Sequence, residues 1–358
     1  MGRWESARNG LTGTEHLLRT RLDTRSATGL RRRLCARTAI RNYRRKAAAL
    51  YFCASFAIHF LGASAEAGDE ATLGAPTAAP AAAVTLHRTR HLEIHTDLAA
   101  ADTELLATRL ESNLAAIAKY WRRPVKGRIV CFVVDDLANW NRGAFPNPRA
   151  VWLLRHVKGG AERVKSPTGT GRLVTHVYAT TEPGVVEHEL AHAYCLQMYG
   201  KCGPDWYKEG MAEIASYFQR GDRCVRCDAD VLRFLQEDPG GSALSVVRLG
   251  EFTAPIRQRL TRDDPEGKEN PEWRSEDDQV IRSARESYHR SWLLCHFLAN
   301  NPNYHGRFRV LGMGYLGGGG DFQQAFRPVA GKLDFEYQQF RRHVANGFRV
   351  DLCAWDWD

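Results

Sequence analysis

The run His188-Glu189-Leu190-Ala191-His192 constrains this chain more than any other feature. On a helix, positions i and i+4 share one face, so both imidazoles can reach one ion. Glu189 lies one step round, where its carboxylate can meet a water held by that ion. Val185, Val186, Leu190, Ala193 and Leu196 around the run mark the helix as buried. The chain must therefore build a core around a helix that carries a metal site. The competing reading, two satisfied core histidines, has to explain both imidazoles and the acid together.

A second segment follows, Trp206-Tyr207-Lys208-Glu209-Gly210-Met211-Ala212-Glu213. Cys202-Gly203-Pro204-Asp205 before it supplies a turn and an N-cap, so the two segments suit a helix–turn–helix return. The pair resembles the H-E-x-x-H and W-x-x-E-G-x-A segments of the gluzincin zinc metallopeptidases, the peptidase MA-like group. The resemblance is strongest over residues 183–216. Leu92-Glu93-Ile94-His95-Thr96-Asp97 is similar to the group's opening strand. Tyr288, Trp292 and His296-Phe297-Leu298 are similar to its downstream helix, and Phe326 to Val344 to its closing segment.

The resemblance implies one zinc ion held by His188, His192 and Glu209, with Glu213 hydrogen-bonded to the far nitrogen of a ligand histidine. Three protein ligands leave a fourth position for water, as catalytic rather than structural zinc requires. Glu189 would act as general base on that zinc-activated water and pass the proton to the leaving amine of a peptide bond. Tyr288 is expected to steady the oxyanion, with Tyr178 as the alternative and simple packing on Trp292 as the plain reading. His156, His176 and His296 are assigned no role. The implied fold is α+β, gluzincin/thermolysin-like, with a small sheet and the H-E-x-x-H helix in an N-terminal lobe (86–200) and a helical C-terminal lobe (201–358).

Periodicity agrees in outline. Strands are expected at 86–96, 128–135, 151–156 and 173–179, and a helix at 102–121. A loop is expected over the Gly- and Lys-rich 157–171. Thr181-Glu182-Pro183 reads as a helix start, and helices are expected at 183–199, 205–219, 228–236, 285–300 and 333–346. The charged 262–283 reads as an exposed loop, and Gly317 to Gly320 as a loop free to move.

The net charge of +9 does not make a nucleic-acid binder. Residues 1–46 hold thirteen basic and three acidic residues, so this leader carries +10 and the remaining chain −1. Arg44-Arg45-Lys46, the apolar Ala47 to Leu61 and Ala63-Ser64-Ala65 read as a secretory signal peptide over 1–65, cut near Ala65. An uncleaved membrane anchor is the alternative, and the only route to a membrane. Residues 66–85, rich in Ala and Pro, read as a linker. An exported chain permits disulfides. Seven of the nine cysteines follow the leader, an odd number, and Cys224 and Cys227 are expected to form a disulfide-bearing loop rather than a second zinc site, with Cys195 or Cys202 as candidate partners. The expected substrate is a peptide or protein. The competing function is an exported or membrane-tethered binding protein with a structural zinc and no catalysis. Glu189 argues against it, because a structural site needs no base.

Overall fold

The computed structural model describes residues 83–165, 173–217, 224–225, 229–238, 240–262, 275–347 and 350–351. The basic leader, its apolar stretch 47–61, the cleavage site, nearly all of the linker and the Cys224–Cys227 pairing lie outside the described residues. Cys195 and Cys202, the candidate disulfide partners, are free thiols. Among the described residues no helix is long and apolar enough to cross a membrane.

The chain is α+β: a five-stranded sheet followed mostly by helices. Strands β1 (Thr85–Arg88) and β2 (Leu92–Thr96) form a hairpin, and helix α1 (Ala100–Tyr120) then crosses to β3 (Ile129–Val134). The crossover makes β2 and β3 parallel, with Leu92 opposite Ile129 and Ile94 opposite Cys131. β5 (Leu173–Thr180) continues the parallel set, and β4 (Gly159–Lys165) joins it antiparallel, giving the order β1-β2-β3-β5-β4. The two-residue alternation of a strand sorts the side chains. Ile94, Cys131, Val133, Val177 and Ala179 face the main helical core, while Phe132, Val134 and Tyr178 face a smaller cluster with Trp140, Phe145 and Leu154.

Four expectations are corrected here. Residues 86–96 are two strands, because Thr89 turns the chain: its N–H reaches Leu92 O, and its hydroxyl and the His91 N–H both go to the Glu111 carboxylate of α1. Residues 151–156 are helical, as a short α2 (Ala150–Trp152) running into a π-turn (Leu153–Val157). A short apolar run has no period to tell helix from strand. Trp152 fills a cluster with Ile256 and Ala284, and Leu154 packs under the sheet. The expected 157–171 loop contains β4. As the terminal strand it is mostly only half-buried, so it lacks the apolar alternation that marks inner strands. Ser275–Asn300 is one helix, so 275–283 are helical where a loop was expected.

Beyond the sheet come α3 (Val185–Tyr199), α4 (Asp205–Tyr217), β6 (Cys224–Val225), α5 (Ala229–Glu237), α6 (Ala243–Val247) and α7 (Ala254–Arg262). Then follow α8 (Ser275–Asn300), α9 (His305–Gly317), α10 (Phe322–Phe326), α11 (Ala330–Ala345) and β7 (Val350–Asp351), the last paired with β6. One core runs from Leu92 of the sheet through α3, α4 and α8 to Val344 of α11. α3 lies on β4 and β5, and α4 lies between α3 and α8.

Candidate metal centre

α3 is apolar nearly all round. Val186, Leu190, Ala191, Ala193, Tyr194 and Met198 are buried, so the helix is held by tertiary packing rather than by a capped amphipathic face. It starts at Val185, not at Thr181. The Thr181 hydroxyl donates to Asp135 Oδ1 at 2.8 Å instead of capping, and Gly184 takes the boundary position. At the other end Tyr194 and Tyr199 donate to the carbonyls of Arg123 and Trp121, at 2.6 and 2.9 Å, which fixes α3 to the end of α1.

α4 begins at Asp205, whose carboxylate does not cap the helix. It accepts from the Thr253 N–H and hydroxyl and from Lys208. Trp206 and Tyr207 are buried packing residues, and Trp121 Nε1 donates to Tyr207 Oη at 3.0 Å. Gly210 has a steric reason: a Cβ there would lie 2.5 Å from Ser291 O and 2.5 Å from Cys295 Sγ. Glycine lets the α4 backbone come within van der Waals reach of α8.

This packing brings His188, His192 and Glu209 together. Their ligating atoms form a nearly equilateral triangle: His188 Nε2 to His192 Nε2 is 3.1 Å, His192 Nε2 to Glu209 Oε2 is 3.1 Å, and His188 Nε2 to Glu209 Oε2 is 3.3 Å. Tetrahedral zinc with bonds of about 2.0–2.1 Å needs donor–donor edges of about 3.3 Å. The donor set and its spacing thus fit a zinc ion. His188 Nδ1 faces Glu213 Oε1 at 3.3 Å, an orientation that leaves Nε2 for the ion.

The electrostatics follow from burial and proximity. Burial works against charge on His188 and His192, yet the neighbouring carboxylates outweigh it. His188 is held well above the usual histidine range and His192 near about 9. Burial alone would raise Glu209, but His192, His188 and Lys208 bring its carboxyl well below the carboxylate range. Glu189 is raised, chiefly by burial and further by Glu209 and Glu213. A buried acid of raised pKa accepts and returns a proton more readily than a solvated one.

The triangle opens into a cleft of about 870 Å³, lined among others by Leu153, Gly159, Glu162, Thr253, Arg257 and Tyr288. Tyr288 also lines it, its ring edge-on to His188 with centroids 6.2 Å apart and to Phe252 at 5.6 Å. Burial, then Glu209 and Glu189, keep its hydroxyl protonated far above neutral pH. Tyr178 is also in the cleft, but its hydroxyl donates to Glu162 Oε1 at 2.9 Å.

Three residues of the site escaped sequence reasoning. Gly159 passes over the base: a Cβ there would fall 2.8 Å from Glu189 Cγ and 2.9 Å from Oε1. Lys208 lies 3.4 Å from Glu209 Oε1. Cys202, half-buried in the cleft, has Sγ 3.6 Å from His192 O. Only Lys208 left a trace in the sequence, as the i+3 partner of Asp205. Compared with known proteins, the chain matches no family model and no curated sequence.

Proposed function

We propose that the chain is an exported zinc-dependent hydrolase of the gluzincin type, a peptidase acting on peptide or protein substrates. The observation that carries the proposal is the triangle of donor atoms with edges of 3.1, 3.1 and 3.3 Å, open to a cleft and adjoined by the buried Glu189. His188, His192 and Glu209 would hold the ion, which when bound supplies Lewis acidity to water and to a carbonyl group.

The remaining roles belong to the chain's own side chains. Glu189 takes a proton from the attacking water and delivers it to the leaving amine. Its position under Gly159 leaves its carboxylate little freedom, so the proton moves along a fixed direction. Tyr288, protonated and edge-on to His188, donates to the oxygen on which negative charge develops. Glu213 holds the His188 ring. The cleft walls orient the substrate and displace water.

The test uses purified protein, elemental analysis and a quenched peptide library. The expected result is stoichiometric zinc and chelator-sensitive cleavage, with Glu189→Gln keeping zinc and losing turnover by ~10²–10⁴. Stoichiometric zinc with no cleavage, in wild type and variant alike, would favour the non-catalytic binding protein. No transition metal after reconstitution would overturn the metal reading altogether.

A further inference from the structure

The ammonium of Lys208 sits among three acceptors. Nζ lies 2.6 Å from Asp205 Oδ1, 3.1 Å from Thr253 Oγ1 and 3.4 Å from Glu209 Oε1. Two of its three N–H donors are taken by Asp205 and Thr253, and Glu209 Oε1 faces it as an ion-pair partner. Its anchors are themselves fixed. Asp205 Oδ2 accepts from the Thr253 backbone N–H at 2.8 Å and from the Thr253 hydroxyl at 2.7 Å. The group is shielded: the Lys208 side chain is 17% exposed, those of Asp205 and Glu209 6%.

The two oxygens of Glu209 therefore face different partners. Oε2 faces the imidazoles at 3.1 and 3.3 Å, and Oε1 faces the ammonium. A carboxylate can ligate an ion through one oxygen or through both. We infer that Lys208 fixes Glu209 as a one-oxygen ligand and so keeps a coordination position of the metal centre open. The inference rests on the metal reading proposed above. The ammonium attracts Oε1 as an ion pair at 3.4 Å and repels a dication from that side. Without it Glu209 is free to close on the ion with both oxygens, adding a fifth donor beside the water and taking the room that a substrate oxygen needs. Lys208 is a positioning residue, acting through Glu209. A plain Asp205–Lys208 helix pair would behave otherwise, since its loss lowers stability and leaves the coordination unchanged.

The experiment compares full-length wild type with Lys208→Met after replacing the native ion with cobalt(II). Visible absorption reads the coordination number, elemental analysis the metal content, and thermal melting the fold. Four-coordinate cobalt absorbs more strongly than five-coordinate cobalt. The expected result is stoichiometric cobalt in both proteins, with a clear loss of band intensity in Lys208→Met. An unchanged spectrum at full occupancy overturns the inference and leaves the metal reading standing. A folded Lys208→Met that holds no cobalt also overturns it, because Lys208 would then secure the ligand rather than its mode of binding. A wild-type chain that takes up neither cobalt nor zinc sinks the metal reading and this inference with it. Should Lys208→Met not fold, Thr253→Val removes one anchor of the ammonium at constant shape. A partial loss of intensity supports the inference and an unchanged spectrum overturns it.

Discussion

The cleft has two unlike sides. Its floor is the helix pair α3 and α4, with Glu189 and Glu209 buried and α4 gripped by α8 at backbone distance. Its wall is β4 with the segment leading into α7, where Gly160, Glu162 and Arg257 are partly or largely exposed. The floor holds the groups to which the proposed function gives the chemistry, and close packing leaves them one arrangement. The wall holds polar groups on the terminal strand of the sheet, where substitution should cost little stability and, under the proposed function, change what the cleft accepts. Under that function, chemistry and selectivity would be carried by parts of different rigidity.

Substitutions of the floor's ligand residues should act on metal and turnover, and those on the wall on turnover alone. The largest effect is expected from His188→Ala or Glu209→Ala, each removing one of three ligands. Zinc content, read by elemental analysis, should fall from stoichiometric to residual, and retained zinc would break the comparison at its base. Tyr288→Phe comes next, with turnover down ~10²–10³ and zinc content and melting temperature little changed. Unchanged turnover on a validated substrate would assign Tyr288 to packing.

The glycines sharpen the contrast. Gly159→Ala pushes on the Glu189 carboxylate from the wall, and kinetics should show a loss on the order of 10², as a displacement of about 1 Å at a reacting group can cause. Its zinc content and melting temperature should stay close to wild type. Gly210→Ala pushes the floor off α8, and denaturant titration should find a loss of about 1–3 kcal/mol. If the two variants exchanged phenotypes, the division into floor and wall would be wrong.

The smallest effect lies away from the cleft, in the turn after β3 that Asp97 holds. Burial would raise the Asp97 carboxyl, but N–H donors of Asp135, Asn139 and Asp136 outweigh it and hold the group below its ordinary value of 3.8. The ionised form therefore stabilises the fold above that ordinary value, and the contribution is lost as pH falls through the lowered one. Urea titrations across the acid range should show a flatter fall of stability with falling pH in Asp97→Asn than in wild type. Parallel curves would remove Asp97 from the acid limb.

The same division explains what could be read in advance. Glu209 was legible through the resemblance of its segment to the gluzincin one, and His188 and His192 because a helical period places side chains without knowledge of the rest of the fold. The helices 102–121 and 205–219 were legible for the same reason, and appear as Ala100–Tyr120 and Asp205–Tyr217. β4 was not, because a Gly- and Lys-rich strand owes its conformation to pairing with β5, a tertiary fact. Gly159 was hidden with it. Thr253 was invisible as an anchor of Asp205, lying 48 residues away in sequence.

That difference in sequence distance bears on how the protein is made. The three ligand residues span only 21 positions, whereas the bonds that buttress them join residues 86 and 102 apart, Trp121 to Tyr207 and Asn113 to Ala215. Local contacts form early in folding, and distant ones wait on loop closure. If the centre holds the proposed ion, the α3–α4 hairpin can meet it before the scaffold closes over it, and the ion would serve folding before any catalysis. Zinc added at the start of refolding should speed the recovery of native fluorescence relative to zinc added at the end.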